Sequence, residues 1–86
     1  MEGVRVGEVT HYFDRIGVAV IVLSDSVRVG DTLHIFGRLT DLRQKVTSME
    51  IEHEKIDEAG AGQEVALKVN RPVKPRDKVF KIAIAE

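Results

Sequence analysis

The sequence predicts an all-β fold, either a small barrel or a sandwich. Three observations favour this class: six short segments with strand-type patterning, glycine- or proline-bearing turns between them, and no convincing helical periodicity. Closure of a sheet into a barrel also removes the exposed edges that short β chains must protect. We treat the 86 residues as one domain, 1–86, without an internal repeat or linker.

The first two strands are predicted at residues 3–13 and 16–23. In the first strand the inward parity changes between Val6 and Val9, and the change falls near Gly7. A change of parity at a glycine indicates a β-bulge, in which one extra residue rotates the strand. The second segment, IGVAVIVL, is apolar on both faces and rich in β-branched residues, which predicts a central strand.

The stretch SVRVGDTLHIFG, residues 26–37, predicts a turn followed by a half-buried strand. Gly30 adopts positive φ at little cost, so it can reverse the chain before the strand begins. In the strand, Leu33 and Ile35 share one face, and the other face carries Thr32, His34 and Phe36.

Residues 41–56 are rich in helix formers, yet they alternate with period two around Met49. One parity carries Thr47, Met49, Ile51 and His53, and the other carries Ser48, Glu50, Glu52 and Glu54. An apolar stripe backed by an acidic one is typical of a strand with one wet face. We therefore predict one strand here, with a helix as the alternative.

The last two strands are predicted in EVALKV, residues 64–69, and KVFKIAIA, residues 78–85, after a loop at 57–64. The first of them places Val65, Leu67 and Val69 inward. The connection between the two contains Pro72 and Pro75, which lack the N–H that a central ladder needs. The final strand is predicted to place on one face Phe80, Ile82 and Ile84.

Composition excludes several classes of protein. The chain has no cysteine, so it has no disulfide or thiolate metal site, and it has no apolar run near the roughly 20 residues of a membrane span. The start, MEGVRVGEV, lacks the pattern of a signal peptide. We expect a soluble, cytoplasmic protein that does not bind membranes. High charge with little Asn, Gln, Met and Cys also follows a thermophile tendency.

No constellation of residues predicts catalysis or cofactor binding. His34 and His53 could approach one another if their strands pair, but no HExxH spacing is present, and we interpret the histidines as solvated. The glutamates at 50, 52 and 54 form a wet stripe rather than a cleft. AGAGQE lacks the spacing and the lysine of a phosphate loop. We expect no enzyme activity, no cofactor and no metal.

Charge is segregated along the chain although the net charge is only −1. Residues 50–64 are acidic, and a basic segment follows that contains Lys68, Arg71, Lys74, Arg76, Lys78 and Lys81. These six side chains are the candidate surface for a partner or for RNA, because basic clusters attract phosphates and acidic proteins. The alternative is that the two segments neutralise each other across neighbouring strands.

Several motifs, in order, resemble a known family. VRVGDTLHIFG, VTSMEI, EAGAGQEVALKV and VKPRDKVF are similar to the β-barrel second domain of translational GTPases such as elongation factor Tu. Gln63 stands where that family often has an acidic residue, and Arg76 where it often has glycine. RPVKPRDKVFK is even more similar to the C-terminal barrel of collagenase-like peptidases. The resemblance implies a closed six-stranded barrel of Greek-key type, of the translation-protein class.

The resemblance also implies a function without catalysis, because neither family's catalytic part is present. We expect a stand-alone elongation-factor-like barrel that docks on a protein partner, with weak binding to tRNA or rRNA as a further possibility. The alternative is an accessory subunit that supplies in trans the barrel of a collagenase-like peptidase. A small enzyme that uses the histidines and glutamates is the remaining hypothesis. The sequence does not define an oligomeric state.

Overall fold

The computed structural model describes residues 3–82, and its regular elements are all β-strands, which confirms the all-β class. Among these residues no helix has the length and apolar character to cross a bilayer. The strands are β1 (Gly3–Phe13), β2 (Val18–Leu23), β3 (Val27–Arg28), β4 (Thr32–Phe36), β5 (Asp41–Lys45), β6 (Met49–Ile51), β7 (Glu54–Ile56), β8 (Glu58–Ala59), β9 (Glu64–Lys68) and β10 (Lys78–Ile82).

Eight strands form one antiparallel sheet in the order β5-β4-β10-β1-β2-β9-β6-β7, and β3 pairs with β8 in a two-stranded ribbon. β5 and β6 follow one another in the chain but stand first and seventh in this order. Only residues 46–48 separate them. The segment therefore bends, so that its first part pairs with β4 and its second part pairs with β9.

Two sets of hydrogen bonds hold this bend. The N–H of Val46 donates to the carbonyl of Asp31 at 2.8 Å, and the carbonyl of Val46 accepts from the N–H of Gly30 at 2.9 Å. The buried side chain of Gln44 spans from β5 to the end of β9, where its Nε2 donates to the carbonyl of Lys68 at 2.8 Å and its Oε1 accepts from the N–H of Asn70 at 2.7 Å. The amide of Gln44 thus pairs with backbone groups as a neighbouring strand would.

The predicted turn at Gly30 is confirmed, because the φ angle of Gly30 is 101°. This conformation is accessible to glycine at little cost. The adjacent hydrogen bonds to Val46 show that the turn also supports the bend between β5 and β6.

The structure also confirms the bulge in β1 and the central position of β2. The register between β1 and β10 shifts between Arg5 and Gly7, and a second shift against β2 lies between Val9 and His11. β2 pairs with β1 on one side and β9 on the other. The bulges rotate β1 so that both Val6 and Val9 reach the core.

The core is aliphatic and almost free of aromatic rings. Its largest fully buried side chains come from the large sheet, from β3 and from the connections between strands: Val6, Val9, Ile21, Val27, Leu33, Ile35, Val46, Met49, Val65, Val73 and Val79. The inward set predicted for β9 is confirmed, since all three of its residues are buried. Phe80 and Ile82 share one face of β10, as predicted; this face is only half-buried, whereas Val79 on the opposite face is fully buried. Ile84 lies outside the described residues.

The prediction of one strand over residues 41–56 is also wrong. The segment forms β5, β6 and β7, with the bend at 46–48 and a reversal at Glu52 and His53, whose φ angles are 51° and 67°. Positive φ at both central residues is the requirement of a tight hairpin turn. Because the chain reverses there, the glutamates at 50, 52 and 54 do not form one stripe. Ten strands are found within residues 3–82, rather than six across the chain, and two of the additional ones are the short β3 and β8.

We predict that Gln44→Leu lowers the free energy of unfolding by about 2–4 kcal/mol, because it leaves the carbonyl of Lys68 and the N–H of Asn70 without their partner. Urea denaturation measures the change. Lys45→Leu is the control, since Lys45 lies next in β5 but is exposed. Equal unfolding midpoints for the two variants would show that the Gln44 bridge does not stabilise the fold.

Candidate docking surfaces

The structure brings together three of the six basic residues singled out from the sequence. Lys74, Arg76 and Lys78 line a shallow depression beside the turn that joins β4 to β5. Two exposed apolar side chains and a further arginine of that turn complete the lining. We call this region the basic surface; it consists of Phe36, Arg38, Leu39, Lys74, Arg76 and Lys78.

The other three residues lie elsewhere, so the six do not form one patch. Lys68 faces a different groove on β9. The Nζ of Lys81 donates to the carbonyl of Ser26 at 2.9 Å and lies 4.0 Å from the carboxylate of Asp31. Arg71 is exposed in the connection between β9 and β10. Neighbours in sequence separate here because strand residues alternate between faces and the connection leaves the sheet.

The β4–β5 turn presents an aliphatic side chain to solvent. The N–H of Gly37 donates to the carbonyl of Thr40 at 2.9 Å, and the N–H of Thr40 donates to the carbonyl of Gly37 at 3.4 Å. Arg38 and Leu39 therefore lie at the tip of the turn. Leu39 is 81% exposed, and Phe36 at the end of β4 is 43% exposed. An aliphatic and an aromatic side chain exposed side by side, beside cationic groups, are typical of a surface that binds another molecule.

Asp77 holds the other half of the basic surface in place. Its buried carboxylate accepts from the N–H of Lys74 at 2.8 Å, and its own N–H donates to the carbonyl of Lys74 at 3.1 Å. Two further hydrogen bonds join the connection between β9 and β10 to β1. The N–H of Val9 donates to the carbonyl of Asp77 at 2.9 Å, and the N–H of Arg76 donates to the carbonyl of Val9 at 2.7 Å. Arg76 has a φ angle of 77°, in the region that favours glycine.

Gly37 is required where the two halves meet. A Cβ placed on Gly37 would overlap the carboxylate of Asp77. The backbone N–H of Lys74 donates a hydrogen bond to that carboxylate and so holds it in place. The absence of a side chain at Gly37 therefore lets the β4–β5 turn approach the 74–77 turn closely.

The cations of the basic surface differ in their pairing. Lys78 donates to the carboxylate of Glu8 at 3.1 Å, and Arg5 donates to the same carboxylate at 2.9 Å. The hydrogen bond from Lys78 and its charge lower the pKa of Glu8, so this pair persists at neutral pH and is lost only in acid. Within residues 3–82, neither Arg38, Lys74 nor Arg76 has a carboxylate within 4.0 Å.

The alternative that the acidic and basic segments neutralise one another is wrong. Within the described range, no ion pair joins residues 50–64 to residues 68–81. The nearest strand contacts explain this, because β9 pairs with β2 and β6, while β10 pairs with β1 and β4. Lys68 is the exception to the separation of the two segments, because it lines the same groove as Glu50, Glu52 and Glu64; the other five basic residues are not part of that lining.

The histidines do not form a common site. His34 and His53 do not approach through strand pairing, because β4 pairs with β5 and β10 whereas His53 lies in the β6–β7 turn. The interpretation of solvated histidines is wrong for His34, which is 4% exposed and bonds through Nε2 to the carboxylate of Asp41 at 2.6 Å. The described part of the chain contains no cluster of three or more His, Asp or Glu suited to a metal ion.

A second candidate surface lies on the outer side of β2 and β9. We call it the outer groove; it measures about 730 Å³, and its main lining residues are Phe13, Ile16, Val20, Glu50, Glu64 and Ala66. Phe13 is 50% exposed and Ile16 is 61% exposed. The sequence carries a signal for this groove that the prediction of a central strand did not use: β2 is apolar on its outward parity, and in the structure this face stays partly exposed, with Val22 at 39%.

The exposure of Leu39 was not predicted from the sequence either. The signal for it is a leucine in the turn GRLTD, where the flanking residues are otherwise typical of a solvated turn. The basic surface and the outer groove share no residue, and they carry opposite charge.

No protein-family model matches the chain. Among curated proteins, an uncharacterized protease of Methanocaldococcus jannaschii is 32% identical over 78 residues, which cover 90% of this chain and 19% of the protease. A collagenase of Porphyromonas gingivalis is 32% identical over 80 residues, which cover 91% of this chain and 19% of the collagenase. The chain thus spans about a fifth of the length of the curated relatives it matches.

Solved structures agree with these relatives. The C-terminal domain of a Geobacillus thermoleovorans protein described as a U32 peptidase matches with a TM-score of 0.86 and 27% identity, over 92% of each chain. Its selenomethionine variant matches with a TM-score of 0.85 and 28% identity, over 90% of this chain and 98% of that one. The homologues of this chain are C-terminal domains of collagenase-like U32 peptidases. Part of the resemblance noted in the sequence is thereby confirmed.

The prediction of a translation-related docking module is wrong, because the matched relatives and structures are peptidase domains. These matches lend no support to the likeness to elongation factor Tu or to RNA binding. The error has a physical origin. The turn and strand motifs that carried the likeness specify a β fold, and a fold supports many functions.

We predict that Gly37→Ala destabilises the fold by about 1–3 kcal/mol, because the added methyl overlaps the pinned carboxylate of Asp77. The same substitution made together with Asp77→Ala should cost less than it does alone, since the obstructing carboxylate is gone. Urea denaturation of both single variants and the double variant measures this coupling. Strictly additive effects would show that Gly37 is not needed for contact with Asp77.

Proposed function

We infer that the large sheet closes into a barrel of six segments. Counted as one bent strand, β5 and β6 pair with β4 on one side and with β9 on the other, and the remaining members of the ring are β1, β2 and β10. β7 is then the return arm of a hairpin beyond the ring. The Gln44 bridge supports this inference, because it joins β5, the first strand of the order, to the end of β9, the sixth, at the point where the bent segment leaves the backbone ladder.

We propose that this barrel is a non-catalytic domain of the collagenase-like peptidase system, and that it docks on the peptidase's catalytic domain through the basic surface. The observation that carries the proposal is the exposed Leu39 at a hydrogen-bonded turn, flanked by Arg38 and Arg76, which have no carboxylate within 4.0 Å among residues 3–82. The homologous C-terminal domains support it, since each belongs to a larger peptidase. The proposal is the same for a domain joined to its catalytic partner and for one supplied in trans.

The chemistry of the basic surface defines its partner. Leu39 and Phe36 would enter an apolar depression, and Arg38, Lys74 and Arg76 would meet carboxylates around it. Arginine suits such contacts because its planar guanidinium binds carboxylates in a bidentate manner. A few well-packed central side chains supply most of the binding energy in protein interfaces, and arginine is prominent among them.

We further propose that the domain contributes no catalytic residue. His11, His34 and His53 lie on three separate elements, and His34 is buried against Asp41. Hydrolysis would then be performed entirely by the catalytic domain. The lack of cysteine is compatible with the reducing cytosol, which we propose as the compartment of the assembly.

The test uses the M. jannaschii relative truncated to remove the segment that matches this chain. We expect this catalytic part to bind the barrel, with an affinity that falls as salt is raised. Leu39→Ser and the pair Arg38→Glu with Arg76→Glu should each weaken binding about tenfold or more. Calorimetric titration measures the affinity of each variant.

Lys45→Glu is the matched control, because Lys45 is an exposed cation at the opposite end of β5 from the turn. Labelled tRNA is titrated beside the catalytic part. No binding of the catalytic part, or a loss of affinity for Lys45→Glu equal to that for the turn variants, would refute docking through this surface. Tight tRNA binding that depends on Arg38 and Arg76 would assign the surface to RNA instead.

A further inference from the structure

We propose that the outer groove binds an extended polypeptide segment in which apolar and basic side chains alternate. The proposal does not depend on docking of the basic surface, which shares no residue with the groove. It rests on the shape of the groove, on its partly exposed apolar floor and on rim carboxylates that form no ion pair within residues 3–82.

The floor consists of side chains that face outward from two paired strands. Val18 lies opposite Lys68, Val20 opposite Ala66, and Val22 opposite Glu64. Residues directly opposite in an antiparallel pair share a face, so these form one outward row. Its middle is apolar, and small Ala66 leaves room above the strand. The row is acidic at one end and basic at the other.

Two apolar side chains form a wall at the β1–β2 turn. Ile16 and Phe13 both line the groove there; Ile16 is 61% exposed and Phe13 is 50% exposed. The Phe13 ring lies 6.3 Å from the ring of His11 with an interplanar angle of 26°. A ring held in this way offers a face for a guanidinium or ammonium group, which aromatic faces attract.

The opposite wall is the β6–β7 hairpin, and it is acidic. Glu50 and Glu52 line the groove from this hairpin, and Glu64 lines it from β9. Lys68 contributes the single ammonium group of the lining. In the described part of the chain none of the three carboxylates has a cationic group within 4.0 Å. A basic ligand would therefore find carboxylates that are not already paired. Charge complementarity of this kind fixes the sign of the occupant.

The shape favours a polypeptide. The volume of about 730 Å³ falls within the range of binding clefts, and the row of paired residues runs along the strands. An extended chain places alternate side chains on opposite sides. One set of side chains can then reach the valines of the floor while the other set meets the glutamates of the rim.

The experiment measures binding of labelled peptides to the isolated chain by fluorescence anisotropy. The probe is a peptide of Leu–Arg repeats, about eight residues long to match an extended segment. One comparator replaces every Arg by Glu, and a second replaces every Leu by Ser. We expect the Leu–Arg peptide to bind at least about tenfold more tightly than either comparator, because both the apolar floor and the acidic rim contribute.

Groove variants test where the peptide binds. Ile16→Ser, and the pair Glu50→Lys with Glu64→Lys, should each weaken binding of the Leu–Arg peptide about fivefold to tenfold. The matched control is Asp57→Lys with Glu58→Lys, which reverses two exposed charges outside the groove and should leave binding unchanged. Urea denaturation establishes that every variant is folded.

Three results would overturn the proposal. One is equal binding of the Leu–Arg and Leu–Glu peptides, and another is unchanged binding to the groove variants. The third is self-association of the chain in sedimentation velocity that is lost in the Glu50→Lys, Glu64→Lys pair, which would make a second copy the occupant of the groove. Because the isolated chain is used, a failure here leaves the docking of the basic surface untouched.

Discussion

The bend at Val46 is the constraint on which the rest of the fold depends. A strand that continued straight beyond β5 would leave β9 without its second neighbour. Val46 instead exchanges hydrogen bonds with the Gly30–Asp31 turn, and Gln44 reaches across to Lys68 and Asn70. The bend thus depends on a glycine with positive φ and on one buried amide. Buried polar groups are costly without partners, so the same amide that permits the bend also fixes its position.

The two surfaces follow from this arrangement. β5 begins at the turn that carries Leu39, so pairing of β5 with β4 places that turn against the 74–77 connection, where Gly37 and Asp77 meet. The continuation of the same segment into β6 and β7 forms the acidic wall of the outer groove. One bent segment therefore contributes to a basic, apolar surface at one place and to an acidic, apolar groove at another.

Much of the strand pattern could be predicted from the sequence, and the features that were predicted wrongly have identifiable physical causes. The Gly30 turn, the bulge near Gly7 and the central β2 each have a local signal, namely glycine or β-branched residues. The bend at 46–48 contains neither glycine nor proline; its signal is a change of inward parity, from Leu42, Gln44 and Val46 before it to Met49 and Ile51 after it, which the alternation around Met49 alone does not reveal. Burial of His34 was missed for a related reason: its carboxylate partner, Asp41, comes from the next strand. The basic segment was treated as one patch because proximity in sequence does not reveal which face each side chain takes.

We propose that the basic surface, and not the outer groove, meets the catalytic domain. The most direct test is nuclear magnetic resonance of the isotope-labelled chain as the truncated catalytic part of the M. jannaschii relative is added. We expect shifted or broadened amide signals at Arg38, Leu39 and Arg76, with those of Val20 and Ala66 unchanged. Perturbation confined to β2 and β9, or none at a saturating concentration of the catalytic part, would contradict it.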